Sequence, residues 1–276
     1  MTLTRRQITE LLERHGLSPS RALGQNFVAD PNTVRRIVRL ADIAVGDPVV
    51  EIGPGVGSLT TALAEAGADV TAVELDRHLM PVLDEVVGPL GVRVVHADAL
   101  EADWAELLSR HERWSLVANL PYNVGTTIVL HLLDEVPAID RMLVMVQREV
   151  GERLAAAPGT SACGIPSVKV AFWATAEVVA KVPSTVFVPQ PKIESVLIRI
   201  RRRPEPAVAV DHDALMGLVR QAFGQRRKML RRSLAGTVTP DTFSRAGVAP
   251  EARPEQLDMS QWGALTAAVL AERPET

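Results

Sequence analysis

Three acidic and glycine-rich clusters, each following a short apolar run, carry the first chemical information in this chain. Glu51-Ile52-Gly53-Pro54-Gly55-Val56-Gly57 follows Val49-Val50, and its alternating glycines permit a tight turn and a close backbone approach to a ligand before a helix begins at Ser58. Val73-Glu74-Leu75-Asp76 ends the next apolar run and places Glu74 to accept hydrogen bonds from a ribose diol. His96-Ala97-Asp98-Ala99 ends the third, where Asp98 can take the exocyclic amine of an adenine. Each acid alone could equally cap the helix that follows it. Together and in this order, Glu74 and Asp98 describe an adenosine. The loop reads Gly-x-Gly-x-Gly and lacks the Gly-x-Gly-x-x-Gly spacing that packs a helix N-terminus onto pyrophosphate, so a dinucleotide is disfavoured. S-adenosylmethionine has no phosphate to hold and is the nearer match, with Gly53, Gly55, Gly57, Glu74, Asp98 and Ala99 around it.

After a fourth apolar run, Leu116-Val117-Ala118, comes Asn119-Leu120-Pro121-Tyr122-Asn123. This motif resembles the strand-end signature of amino-methyltransferases acting on nitrogens conjugated to a ring. Such an amine has its lone pair delocalised and is a poor nucleophile until the pair is localised. The Asn119 side-chain oxygen and the Leu120 carbonyl can each bind one N–H, aiming a pyramidal nitrogen at the methyl group. Pro121 fixes the turn. Tyr122, the one tyrosine of the chain, is expected to stack on a base that has left its helix or comes from a flexible loop. A proline turn with a buried tyrosine is the plain alternative.

The elements that must hold these groups read as strand and helix in turn. Apolar runs at 49–52, 69–74, 92–95, 115–118, 142–147 and 193–200 are expected as strands, and 58–66 and 78–87 as helices between them. This order predicts an α/β fold: a Rossmann-like, class I methyltransferase arrangement with a mostly parallel, doubly wound sheet. Ligands then sit beyond the carboxyl ends of the strands. Arg203-Pro204-Glu205-Pro206 reads as a linker, and helical spacing of apolar residues beyond it, at 211–223, 229–234 and 262–270, predicts a small all-helical C-terminal domain. The expected division is a helical leader at 1–48 that closes over the cofactor, a catalytic domain at 49–203 and an RNA-contacting domain at 207–276.

With 276 residues, 47% of them hydrophobic, the chain has room for one large domain and an appendage. One cysteine, Cys163, excludes an internal disulfide and fits a reducing compartment, so the cytoplasm is expected. No stretch approaches the roughly 18 to 20 apolar residues of a membrane helix, and the polar amphipathic pattern of 1–15 lacks a signal-peptide core. The six histidines show no ligand spacing, and no metal is expected. A net charge of −3 argues against a polyanionic partner, but the positive charge is segregated. It gathers in Arg199, Arg201, Arg202 and Arg203, and again in Arg226, Arg227, Lys228, Arg231 and Arg232, which suggests a basic face, with solvated surface as the plain alternative.

Taken together, the motifs resemble the small-subunit rRNA adenine dimethylase family, the KsgA/RsmA type. The match runs through Leu23-Gly24-Gln25-Asn26-Phe27 with Asp30, the Glu51-to-Gly57 loop, Val73 to Asp76, Asn119 to Asn123 and Gln147 to Val150. It continues in Val186 to Ser195 and Phe223 to Lys228. The resemblance implies that Asn26 and Val28 close over S-adenosylmethionine, that Gly53 meets its methionine part, Glu74 its ribose and Asp98 its adenine, and that Asn119 touches both donor and acceptor. It implies that Phe187 is a second aromatic wall of the target pocket, in a loop stiffened by Val188-Pro189-Gln190-Pro191. The implied activity is N6,N6-dimethylation of two neighbouring adenosines near the 3′ end of 16S rRNA within an immature 30S subunit, by a monomer. A helix over 226–232 is expected to present cations to rRNA phosphates. Two positions depart from the family pattern, Cys163 where a tyrosine is expected and Thr126-Thr127 where a proline is common. The competing readings are a 23S rRNA resistance methylase, an assembly checkpoint factor whose binding matters more than its chemistry, and a DNA adenine methylase. The last usually carries Asp-Pro-Pro-Tyr and a sequence-reading domain, and neither is present.

Overall fold

A computed structural model describes residues 2–272. The outer ends of the expected leader and C-terminal domain, residue 1 and residues 273–276, lie outside the described residues. In chain order the elements are α1 (Arg5–Arg14), β1 (Phe27–Val28), α2 (Pro31–Ala41), β2 (Pro48–Ile52), α3 (Ser58–Glu65), β3 (Asp69–Glu74), α4 (Met80–Val87), β4 (Arg93–His96), α5 (Trp104–Leu107) and β5 (Trp114–Asn119). Then follow α6 (Gly125–Glu135), β6 (Ile139–Gln147), α7 (Arg148–Leu154), α8 (Ile165–Trp173), β7 (Ala174–Val182), β8 (Phe187–Val188), β9 (Ser195–Arg202), α9 (His212–Gly224), α10 (Leu230–Ser233), α11 (Pro240–Ala246) and α12 (Met259–Ala271).

Seven strands form one sheet in the order β4-β3-β2-β5-β6-β9-β7. Neighbours from β4 to β6 run parallel, and β9 joins β6 antiparallel. The expected α/β class is therefore the observed one. Successive strands step outward from β2 to β4, and the chain then crosses back to place β5 on the other side of β2. That reversal opens a crevice between the carboxyl ends of β2 and β5, where open α/β sheets bind their ligands. Val49, Val50, Leu116 and Val117 are buried, as strands covered on both faces by helices must be.

The chain divides into two compact units, Met1–Gly151 with Glu177–Arg202, and Glu152–Ala176 with Arg203–Thr276. The first takes in the leader. Its α1 opens with a reciprocal Thr4–Gln7 capping box and buries Ile8, Leu11 and Leu12 against Phe27, Val56, Leu79 and Val82. At about 1.5–3 kcal/mol for each fully buried aliphatic side chain, three such residues fix the leader to the catalytic unit. Asp30 caps α2 through the Asn32 and Thr33 N–H groups, and Pro31 stands in its first turn. The hydrogen bond from the Thr33 hydroxyl is the largest cause holding the Asp30 carboxyl below its ordinary range.

The second unit is helical around Trp262, Phe243, Leu215, Val219 and Leu265. It departs from the boundary expected at 203–207, because Glu152–Ala176 belongs to it as well. Val168 and Phe172 of α8 supply buried side chains to its core, and a catalytic-domain reading of that stretch would leave those side chains without their neighbours. Two strand features were also not expected. β7 closes the sheet edge, and β1 pairs with β8 in a separate two-stranded ribbon, Phe27 opposite Val188 and Val28 opposite Phe187.

Candidate active site

The crevice at the strand ends is a cleft lined by Leu23 to Val28, Glu51 to Val56, Val73 to Leu75, Ala97 to Leu100 and Asn119 to Val124. Of the expected cofactor residues, Asn26, Val28, Gly53, Gly55, Glu74, Asp98, Ala99 and Asn119 all line it. Gly57 does not. Its φ is +84° and a Cβ there would lie 2.9 Å from Val87, so this glycine permits the close approach of the loop to α4. Gly55 is constrained by the leader, since a Cβ at its φ of +59° would stand 2.6 Å from the Phe27 ring. The cradle is thus backbone, kept open by missing side chains.

Glu74 is buried at the end of β3, where its two oxygens accept from the Gly55 N–H at 3.1 Å and the Asp76 N–H at 2.8 Å. Burial is the largest influence and raises its carboxyl above the ordinary range, against the pull of these backbone donors. The Gly55 bond ties the glycine loop to β3 and the Asp76 bond closes the turn after that strand, and each carboxylate oxygen has a second lone pair for a diol. Asp98 behaves partly as a local cap, accepting from the Leu100 N–H at 2.8 Å, while its side chain faces the cleft. Glu51, not singled out by the sequence, also lines the cleft. Burial, together with the nearby Glu74 carboxylate, pushes it up to about 8, so it holds a proton at neutral pH.

Asn119 closes β5 with its amide orientation fixed. Its Nδ2 donates to the Asn26 carbonyl at 2.8 Å, which leaves Oδ1 buried without a protein partner. A buried acceptor without a partner is costly in a folded protein unless something else satisfies it. The leader therefore decides which end of the amide the cleft sees. It is itself stitched down on two more sides, by Gln25 Nε2 to Asp76 at 2.9 Å and by Asn123 Nδ2 to the Ala22 carbonyl at 3.1 Å. Leu120 is anchored by its N–H to the Met145 carbonyl, and Pro121 carries the turn into α6 by accepting from the Gly125 N–H at 2.9 Å.

Tyr122 lies half-buried on the cleft wall with its hydroxyl 2.6 Å from Ser195 Oγ. Phe187 departs from its expected role, for it is fully buried, is not part of the cleft lining and meets Tyr122 edge-on at 6.4 Å between ring centres. Pairing of β8 with β1 turns its side chain into the core, where it backs Tyr122 without exposing a face of its own. One group that accepts through an amide oxygen, an adenosine-shaped acid pair and the half-buried Tyr122 ring meet in this cleft. A model of the ribosomal RNA adenine dimethylase family matches residues 17–269.

The chain belongs to that family.

Two curated relatives called ribosomal RNA small subunit methyltransferase A match nearly end to end. The Corynebacterium jeikeium protein is 44% identical over 96% of this chain and 95% of its own, and the Leifsonia xyli protein 45% identical over 95% and 96%. Among solved structures, the 23S rRNA methyltransferase ErmE superposes with a TM-score of 0.67 at 28% identity, covering 88% of this chain and 99% of that one. A Plasmodium falciparum dimethyladenosine transferase shares the fold, with a TM-score of 0.72 at 21% identity over 86% and 94% of the two chains.

For an rRNA adenine dimethylase the basic segments matter next, and the structure divides them. The helix expected over 226–232 is not formed. α9 ends at Gly224, residues 225–228 turn, and only Leu230–Ser233 is helical, because Leu230 and Leu234 must enter the core of the second unit. Arg226 is committed internally to the Ser161 carbonyl at 2.7 Å and to Glu255, and Arg231 pairs with Glu251 at 3.2 Å. Arg227, Lys228, Arg231 and Arg232 are exposed, and of these Arg231 has its partner in an acidic side chain. Of the earlier cluster, Arg202 donates to the carbonyls of Leu132, Leu133 and Val136 at the end of α6, a structural cap, and to that of Ile139 at the start of β6, and Arg199 pairs with Glu177. Cys163 is buried, so its departure from the family pattern concerns packing. Among the described residues, no group of three or more His, Cys, Asp or Glu could hold a metal ion, and no helix is long and apolar enough to cross a membrane.

Proposed function

We propose that this chain uses S-adenosylmethionine to dimethylate the N6 amines of two adjacent adenosines near the 3′ end of 16S rRNA, acting as a cytoplasmic monomer on an immature 30S subunit. Support for the small subunit comes from the two relatives above, at 44% and 45% identity over almost the whole chain, against 28% for ErmE. The observation that carries the chemistry is the buried, unpartnered Oδ1 of Asn119 beside the glycine cradle.

The cleft fits the cofactor through its own residues. Glu74 would hold the ribose diol, Asp98 and the backbone at Ala99 the adenine, the backbone at Gly53 and Gly55 the methionine part, and Asn26 and Val28 would cover it. When bound, S-adenosylmethionine supplies a methyl group on a positively charged sulfur. Asn119 Oδ1 and the Leu120 carbonyl each accept one N–H of the adenine amine, which opposes delocalisation of its lone pair and points that pair at the methyl carbon. Tyr122 offers its ring face to the base. That nitrogen would take the methyl carbon with the sulfur as leaving group, and its surplus proton would leave afterwards, so no strong base is required of the chain. After one transfer the single remaining N–H needs one acceptor, and either oxygen can provide it for the second. Arg227, Lys228 and Arg232 would neutralise rRNA phosphates.

Incubation with labelled methyl donor and each purified ribosomal subunit, taken from cells lacking the endogenous modification, tests this reading. Label is expected in 16S rRNA of small subunits at two adenosines. Label confined to 23S rRNA would overturn it in favour of the resistance-type methylase.

A further inference from the structure

We propose that Ser195 is a positioning residue for the methyl transfer, setting the orientation in which Tyr122 presents its ring to the target base. The inference rests on the reading of Tyr122 as that base's stacking partner. Four observations carry it. Tyr122 lines the cleft beside the Asn119–Leu120 acceptors whereas Phe187 does not, and Phe27, the other aromatic of the lining, is buried under the glycine loop, so Tyr122 is the half-exposed ring available to a base. The Tyr122 ring meets Phe187 at an interplanar angle of 71°, a contact that supports one edge but leaves rotation about the Cα–Cβ axis open. Its hydroxyl lies 2.6 Å from Ser195 Oγ, at the short end of the range for such bonds. Ser195 is fully buried at the first position of β9, locked opposite Gln147 in the β6–β9 ladder.

A tyrosine side chain has two free torsions, and a ring attached only at Cβ sweeps a cone at the cleft mouth. Fixing the far end of that ring to a buried strand atom removes this freedom before substrate arrives. The target base is planar, and its amine must meet Asn119 Oδ1 and the Leu120 carbonyl at hydrogen-bonding distance, so a tilt of the stacking wall displaces the nitrogen from the line of attack. Tyr122 itself belongs to the turn that carries those two acceptors, whereas Ser195 comes from a strand more than seventy residues away. The hydroxyl contact is the point at which the sheet sets the orientation of the motif's aromatic. It also explains why a tyrosine rather than a phenylalanine suits this cleft: the ring does the stacking and the oxygen does the aiming.

The test is a double-mutant cycle in the full-length protein with Ser195→Ala, Tyr122→Phe and both together, with Tyr122→Ala as the control for stacking. Transfer to undermethylated small subunits is followed for kcat and KM, and the affinity for S-adenosylmethionine by calorimetry. Loss of one buried hydrogen bond predicts about a five- to tenfold drop in kcat/KM for the particle in either single variant. The double variant is expected to be no worse than the singles, and cofactor affinity to be unchanged in all three. Because the chain has one tyrosine, ring-labelled tyrosine gives a single set of NMR signals. Ser195→Ala is expected to shift and broaden those signals, as the ring, freed at its hydroxyl end, samples more than one χ1 orientation in the cleft. Additive losses in the double variant, or an unaltered ring signal in Ser195→Ala, would overturn the proposal. If Ser195→Ala fails to fold, Tyr122→Phe breaks the same bond from the other side, and full activity in it is equally decisive against the proposal. Unimpaired transfer by Tyr122→Ala would instead refute the stacking reading itself.

Discussion

The catalytic cleft and the basic segment between α9 and α10 hold their polar groups in opposite ways. In the cleft, Asn119, Glu74, Gln25 and Asn123 are each pinned by backbone or side-chain partners at 2.8 to 3.1 Å, and the buried Oδ1 of Asn119 is left without a protein partner. In the basic segment, Arg227, Lys228 and Arg232 point outward from a turn and a short helix, while Arg226 and Arg231 are held by neighbours. Under the function proposed above, the contrast follows from what each region would recognise. Aligning a lone pair with a methyl group tolerates little error, so its groups are preorganised. Neutralising a phosphate needs charge within reach, and flexible side chains supply it.

Asn119→Ala should break the cleft's side of this contrast most severely. Removing one preorganised partner of the reacting group is expected to cost about 10²–10³ in kcat, as with other oriented hydrogen-bonding groups in enzyme sites. Single-turnover transfer to small subunits measures it, and particle binding should stay near the unmodified level. Glu74→Gln comes next, with cofactor affinity expected to fall roughly 10- to 100-fold, as for loss of a charge-assisted bond. Calorimetric titration with S-adenosylmethionine checks that value.

Glu51 sharpens the comparison through pH. Its folded-state value of about 8 lies above the ordinary 4.5, so the native state holds a proton that the unfolded chain releases. Stability is therefore expected to fall as pH climbs from 4.5 to 8, with no contribution to the slope below that window. Glu51→Gln should flatten the fall and leave the variant more stable above pH 8, by on the order of a few kcal/mol. Denaturant midpoints measured across that range would show it, and parallel curves for the two proteins would refute it. The smallest effects belong to the basic segment. Arg227→Ala, Lys228→Ala and Arg232→Ala are each expected to weaken RNA binding modestly and lower the salt slope by about 0.7 to 0.9. Arg226→Ala and Arg231→Ala should leave that slope largely unchanged and act on stability instead. Equal slopes for all five would erase the division drawn between them.

Much of the sheet was legible because parallel strands covered on both faces read as short, largely apolar stretches, and the one expected at 69–74 coincides with β3 residue for residue. Glu74, Asp98 and Asn119 were readable for a related reason: a strand that ends in a crevice places its next polar residue there whatever the rest of the chain does. β7 escaped notice as an edge strand whose alternation mixes exposed Thr175 and Lys181 with buried Ala180 and Val182, a weaker pattern than a buried run. β1 and β8 have two residues each, too few for any period, and exist only because they pair with one another.

The sequence by itself determined the α/β class, the cofactor-shaped order of glycines and acids, the amide-and-proline motif and its family, since these are local patterns repeated at strand ends. The tertiary structure alone decided which end of the Asn119 amide faces the cleft, that Phe187 is a buried support, that Arg226 and Arg202 bond backbone carbonyls while Arg231 pairs with Glu251 at the surface, and that Ser195 reaches Tyr122. Each of these depends on contacts between segments distant in the chain, and residue type fixes what a side chain can bond without fixing what it will find there.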